Sequence, residues 1–175
     1  MECRPARGIF WPAIEGAYQR GEIELDEFAS RFAELIGGIY TAEEVVRVHH
    51  AWTLGEYPGV AALVDDLHGA GLVTAVLSNT SHDHWITFSR RYPVFDRFGH
   101  RHGSHLIGAC KPAPAAFRAI EASTGQAGRA IIFFDDLIDN VRGARDFGWE
   151  AECVDPHGSP PEQIRVVLVG RGALS

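Results

Sequence analysis

The sequence is poor in cysteine, in positive charge and in long apolar runs, and each shortage excludes a class of protein. Three cysteines, without the spacing of a metal site, indicate free thiols in a reducing compartment. The net charge of −7 argues against a nucleic-acid partner, because phosphate backbones are bound by basic surfaces. Since no apolar run approaches a bilayer span and the N-terminus has no apolar signal core, we predict no membrane span and a cytoplasmic location.

The chain is long enough for one well-buried core with a small appendage, since it has 175 residues. Residues 9–57 show helical periodicity and no strand pattern. Within them, Thr41 and Glu44 have the spacing of a capping box, which predicts a helix that carries Val45, Val48 and Trp52 inward. We therefore predict a small helical unit over residues 9–57, beside the main sheet.

Strand and helix patterns alternate over residues 58–175. The predicted strands are 73–77, one short strand within 94–108, 131–134 and 151–154, and the predicted helices begin near 58, 82, 114, 137 and 161. Such alternation predicts an α/β fold, with a Rossmann-like parallel sheet and helices on both faces.

Polar residues follow three of these segments, at the edge of the sheet where α/β proteins place their chemistry. Asp135 and Asp136 end an apolar strand. Two adjacent carboxylates at that position are unfavourable in free energy unless a cation or a hydrogen-bond donor compensates them. One alternative is that one Asp caps the next helix and the other faces solvent. Together with the hydroxyl of Ser78 and the ammonium of Lys111, however, the acidic pair makes a set suited to a phosphoryl group and a metal.

Taken in order, these segments resemble the haloacid dehalogenase (HAD) superfamily. The sequence LSNTS at residues 77–81 is similar to its second motif, CKPAPAAF around Lys111 to its third, and FFDDLIDNVRGARDFGW to its fourth. The resemblance implies a magnesium-dependent phosphatase that acts on small phosphorylated metabolites. Haloacid dehalogenases are a further alternative, but they need no metal and carry small polar residues in place of the acidic pair.

The resemblance also implies roles for individual residues. Ser78 and the backbone of Asn79 would contact the phosphoryl group, and Lys111 would offset its charge. Asp136 would bind Mg²⁺ with support from Asp135. Asn140 stands where many members carry a second acid, which implies a weaker or water-mediated metal contact. His82 follows the second motif directly and is a candidate for substrate contact; the alternative is a solvent-facing helix residue.

The helical segment resembles the cap of the subfamily that inserts its cap between the first and second motifs. QRGEIELDEF at residues 19–28 carries this similarity. The resemblance therefore implies a cap over 9–57 and a core over 58–175, and is closest to small-molecule phosphatases, including the N-terminal domains of some epoxide hydrolases.

The family's first motif, a strand followed by Asp-x-Asp, is not found in the sequence. Its first Asp is the nucleophile and its second the general acid and base, so turnover should be negligible and Mg²⁺ binding weak or absent. The strand is central in the family's sheet, and its loss would expose two edges unless the neighbours pair directly or another run, such as 166–169, fills the slot. Two explanations remain: a truncated phosphatase, or a protein that has lost catalysis and keeps a phosphate-sized pocket for binding or regulation.

Overall fold

The computed structural model describes residues 12–175, except the side chain of Pro12. The helices are α1 Pro12–Gln19, α2 Leu25–Leu35, α3 Ala42–Ala51, α4 Val60–Gly69, α5 His82–Arg91, α6 Ser104–Ile107, α7 Pro114–Thr124, α8 Ile138–Phe147 and α9 Pro160–Gly170. The strands are β1 Ala75–Ser78, β2 His100–Gly103, β3 Ile132–Asp135 and β4 Glu150–Cys153. The predicted α/β class, with parallel strands and helices on both sides, is confirmed. The predicted start of the helical unit at Ile9 lies outside the described residues.

Helices α1 to α3 form a helical layer with its own apolar cluster, centred on Tyr18, Phe28 and Val45. The rings of Tyr18 and Phe28 stack with centroids 4.5 Å apart. The capping box is present as predicted: Thr41 Oγ1 accepts from the Glu44 N–H at 3.3 Å, and Glu44 Oε2 accepts from the Thr41 N–H at 2.9 Å. This cluster is separate from the apolar core around the strands.

The inward face of α3 differs from the prediction. Val45 is 6% exposed, but Val48 and Trp52 are 48% and 65% exposed, so their predicted burial is wrong. The buried stripe runs instead through Val45 and His49, which lie one helical turn apart on the same face. His49 takes an inward position because polar partners meet it there.

The four strands form two parallel pairs. β1 pairs with β2 so that Ser78 lies opposite Gly103, and β3 pairs with β4 so that Asp135 lies opposite Cys153. The main apolar core lies against the second pair and is built from α7, α8 and the strands. Its members are Phe117, Ile120, Phe133, Val141, Ala144, Trp149 and Ala151.

No ladder joins β1 to β3 within residues 12–175, so the two strands do not close on each other. The alternative in which residues 166–169 supply a strand is wrong, because they belong to α9. Pro160 and Pro161 occupy the first positions of that helix, where proline needs no N–H partner and its fixed φ suits the helix.

Two observations bear on the cysteines and on membranes. Cys153 is disulfide-bonded, which corrects the expectation of three free thiols, whereas Cys110 is free. None of the helices in the described part of the chain is long and apolar enough to cross a bilayer.

Candidate functional site

Lys111 joins the ends of β1 and β3, which are far apart in the sequence. Its Nζ donates to the carbonyl oxygen of Leu77 at 2.7 Å and to Asp135 Oδ2 at 2.6 Å. The side chains of Lys111 and Asp135 are only 9% and 6% exposed. Lys111 is also the only lysine in the sequence. One ammonium thus contacts the residue before Ser78 and the residue before Asp136, which places the three predicted segments at one edge.

The two oxygens of Asp135 have different partners. Oδ1 accepts from the Leu137 N–H and from Asn140 Nδ2, both at 2.9 Å, while Oδ2 accepts from Lys111. Asn140 is itself buried, at 4% exposed. Since a buried carboxylate is stable only when hydrogen-bonded and paired, these contacts compensate the burial of Asp135 and hold its oxygens in fixed directions.

The side chain of Asn79 fastens the Lys111 segment to the end of β1. Asn79 Oδ1 accepts from the Lys111 N–H at 2.7 Å, and Asn79 Nδ2 donates to the Lys111 carbonyl at 2.9 Å. The peptide bond between Lys111 and Pro112 is cis. Both polar ends of the Asn79 amide are therefore used on the backbone of Lys111, so the residue positions the lysine.

Ser104 holds the 78–81 loop, which lies between β1 and α5. The sequence pattern did not predict this role for Ser104. Ser104 Oγ accepts from the Thr80 N–H at 2.8 Å and donates to the Thr80 carbonyl at 3.1 Å. Ser104 is 1% exposed and follows β2 directly. A lone serine after a strand carries no sequence signal for this role, because its partner is 24 residues away in the chain.

The remaining predicted residues lie around this centre. Ser78 is half-buried at the end of β1, and Asp136 is half-buried at the end of β3. His82 begins α5, is exposed, and has its ring 5.7 Å from that of His105. The sequence therefore identified segments that converge, while the contacts of His82 with a substrate stay a prediction.

The residues at this edge of the sheet do not match the ligand set of a metal ion. Within residues 12–175, no group of three or more His, Cys, Asp or Glu side chains is arranged to hold one. Of the residues predicted as ligands, Asp135 and Asn140 are hydrogen-bonded to each other, and Asp135 faces an ammonium. Magnesium requires near-octahedral oxygen ligands, so the described residues do not form a magnesium centre by themselves.

A second polar cluster lies where the helical layer meets α5. The Tyr18 hydroxyl donates to Asp83 Oδ2 at 2.8 Å, and Nε2 of His49 lies 3.4 Å from both the Tyr18 hydroxyl and Ser81 Oγ. The rings of His49 and His84 stack with centroids 3.9 Å apart. Burial lowers the pKa of His49 to about 4, with further lowering by His84 and by the neighbouring His50, and Asp83 opposes the shift. Burial also raises the pKa of Tyr18, and Asp83 adds to that increase.

We expect His49 to make the protein less stable in acid. His49 is only 8% exposed and is neutral in the fold, whereas in the unfolded chain its pKa returns to about 6.5. The unfolded chain therefore binds more protons between pH 6.5 and 4, and the free energy of unfolding falls over that window by roughly 3 kcal/mol from this group. Urea unfolding at pH 7 and at pH 4 measures this fall, which should be smaller by about that amount in His49→Gln. Equal falls in the two proteins would contradict the assignment.

Comparison with known proteins identifies the family. Residues 6–148 match the haloacid dehalogenase-like hydrolase family, and the chain belongs to it. The phosphatase MT3486 of Mycobacterium tuberculosis (strain CDC 1551 / Oshkosh) is 31% identical over 156 residues, which cover 86% of this chain and 70% of that protein. Acyl-CoA dehydrogenase family member 10 of Mus musculus is 26% identical over 85% of this chain, but that match spans only 14% of its own length.

Solved structures share the fold. The HAD family enzyme bt-2542 of Bacteroides thetaiotaomicron superimposes with a TM-score of 0.72 at 22% identity, covering 87% of this chain and 78% of that one. The same enzyme in complex with magnesium and inorganic phosphate gives a TM-score of 0.68 at 22% identity, with 83% and 76% covered. At this level of identity the likeness concerns the fold, and activity must be argued from the site.

Proposed function

We propose that this protein binds a phosphate group at the edge defined by Ser78, Lys111 and Asp136, and that its lineage is that of magnesium-dependent phosphomonoesterases. The observation that carries the proposal is the position of the Lys111 ammonium, which bridges the ends of β1 and β3. Support comes from membership of the hydrolase family, from a relative described as a phosphatase, and from a similar fold solved with magnesium and inorganic phosphate. The ligand would be a small phosphorylated molecule.

Each residue of the edge has a distinct role in this proposal. The hydroxyl of Ser78 and the backbone N–H of Asn79 donate to phosphoryl oxygens, and the first turn of α5 contributes the positive end of its dipole. Lys111 supplies the positive charge, which Asp135 and the Asn79 side chain hold in place. Asp136 would be the carboxylate that this chain offers to magnesium, and Asn140 acts through Asp135.

The chain divides into two parts in this proposal. We assign the helical layer to a cap over residues 9–57 and the rest to a core over 58–175, because the two parts have separate apolar clusters. The sequence holds no Asp-x-Asp motif after a strand, so we propose that the chain binds phosphate without hydrolysing its esters. Both explanations of the missing motif fit this proposal: a truncated phosphatase, and a non-catalytic protein that binds a phosphorylated ligand or regulates through it. A cytoplasmic location stays a prediction, and free cysteine thiols no longer support it because Cys153 is disulfide-bonded.

A direct test uses the single lysine as a probe. Protein grown with ¹³C-labelled lysine has one lysine side chain to observe by NMR, that of Lys111. Added inorganic phosphate is expected to shift its signals saturably, with a dissociation constant of the order of 1 mM. Ser78→Ala should weaken the affinity about tenfold, since it removes one donor to a charged group. Arg97→Met, which removes an exposed cation of the 3-10 turn before β2, is the matched control and should bind as the original protein does.

The same protein is expected to show no hydrolysis of an aryl phosphate above buffer, with or without magnesium. Turnover that Asp136→Ala abolishes would contradict the proposed loss of catalysis, while leaving phosphate binding intact. A lysine signal that does not respond to phosphate would contradict the binding site itself. The two parts of the proposal thus fail separately.

A further inference from the structure

Hydrogen bonds from neighbouring segments hold the 78–81 loop. Ser104 holds both backbone groups of Thr80, and the Asn79 side chain holds Lys111. Ser81, the next residue, is the N-cap of α5, and its Oγ accepts from the His84 N–H at 3.4 Å. Ser81 is 2% exposed, so what covers it decides how the first turn of α5 is oriented.

Two polar residues of the helical layer contact Ser81, His49 of α3 and Tyr18 of α1. The Nε2 atom of His49 lies 3.4 Å from Ser81 Oγ and 3.4 Å from the Tyr18 hydroxyl. The hydroxyl hydrogen of Tyr18 is used on Asp83 at 2.8 Å, so the ring nitrogen meets the oxygens of two hydroxyl groups. The cluster therefore links α3 to the N-terminus of α5 through the His49 imidazole, while α1 reaches α5 directly through the hydrogen bond from Tyr18 to Asp83.

The ring of His49 is held in place from several sides. His84 stacks on it with an interplanar angle of 11°, and His84 Nε2 donates to the His49 carbonyl at 2.8 Å. Phe28 of α2 lies on another side, with ring centroids 5.6 Å apart. Since the ring cannot move without breaking contacts to α1, α2 and α5, a displacement of α3 is transmitted to Ser81.

We propose that His49 is a positioning residue that couples the seating of the helical layer to the 78–81 loop, and so sets the affinity of the loop for phosphate. The inference rests on the proposed phosphate site. Phosphoryl oxygens would meet the N–H groups at the start of α5, whose directions follow the N-cap residue. Without the His49 ring nitrogen, Ser81 keeps its place in the chain and its contact with Tyr18 but loses its polar partner from α3, and the first turn of α5 loosens.

The test compares two variants of His49. His49→Phe keeps an aromatic ring against His84 but removes the ring nitrogen, whereas His49→Gln keeps a donor and an acceptor near the same place. We expect phosphate affinity, read from the Lys111 signals, to fall about fivefold in His49→Phe, as for the loss of one hydrogen bond, and to stay within about twofold in His49→Gln. Val48→Ala, on the exposed side of the same helix, is the control and should leave the phosphate affinity unchanged.

A second readout does not need phosphate. In the free protein, hydrogen exchange of the Thr80 and His84 amides should speed up in His49→Phe, while amides of α7 and α8 exchange as before. If affinity and local exchange are unchanged although the melting temperature falls, His49 only fills space and the inference is wrong. If the unsubstituted protein does not bind phosphate, the proposed function fails, and the exchange data alone then decide whether His49 holds the loop.

Discussion

Replacing Lys111 by methionine is expected to lower the free energy of unfolding by about 3–5 kcal/mol, the usual cost of leaving a buried partner charge uncompensated. Asp135 would keep two hydrogen bonds but lose its only ion-pair partner in the described part of the chain, at 6% side-chain exposure. Urea unfolding at pH 7 measures the loss. Methionine has a similar length, so the change tests the charge more than the volume.

Two further variants separate the buried pair from surface charge. Adding Asp135→Asn to Lys111→Met should restore part of the stability, because the neutral amide removes the uncompensated charge. Arg97→Met breaks an exposed pair with Asp65 and should cost less than about 1 kcal/mol. A loss for Lys111→Met as small as that for Arg97→Met would show that water reaches the pair, and that Lys111 is not the organising charge of the edge.

Truncating Phe117 to alanine is expected to cost about 3–5 kcal/mol, as for other large aromatic residues in a core. Phe117 is 0% exposed, and its ring centroid lies 5.1 Å from that of Trp149 and 6.0 Å from that of Phe133. The lost area and the cavity left between α7 and β3 both contribute. Urea unfolding gives the value, and Val166→Ala on the exposed face of α9 should stay within about 0.5 kcal/mol.

The aromatic core around Phe117 lies next to the Lys111 ammonium. The Lys111 ammonium lies 5.3 Å from the centre of the Phe133 ring, which packs on Phe117. Phe117→Leu keeps most of the volume and should lose less stability than Phe117→Ala. If Phe117→Ala is as stable as the original protein, the cluster of aromatic rings does not close around this residue, and the description of the core is wrong.

Phosphate binding and the anchoring of the loop are separable physical questions. Lys111 and Asp135 make a rigid charge pair in the core, whereas Ser81 depends on a residue from the helical layer. The affinity for a ligand that contacts both Lys111 and the start of α5 would depend, through Ser81, on the position of the helical layer. This arrangement would let a change at α3 alter affinity without any contact between α3 and the ligand.

Much of this protein follows from local sequence. Helix α5 begins at His82, as the pattern predicted, and the residue before it, Ser81, is a favourable N-cap. The capping box of Thr41 and Glu44 is formed by residues three apart, so no other part of the chain was needed to foresee it. The apolar strand before Asp135 was recognisable because a short buried run has few other ways to satisfy its backbone.

Only the tertiary structure decided which side chains meet. The sequence predicted a role for the backbone of Asn79 but none for its side-chain amide, which holds the backbone of Lys111, and it did not predict that Asn140 donates to Asp135. Val48 was predicted to be buried and His49 was not. Periodicity identifies the buried face of a helix, but it does not show which polar side chains the neighbouring element places against that face. The sequence by itself determined the elements and the segments that carry the chemistry, since these depend on short-range propensity and patterning. The pairing of Lys111 with Asp135 and of His49 with Ser81 depended on distances between residues far apart in the chain, which no local pattern records.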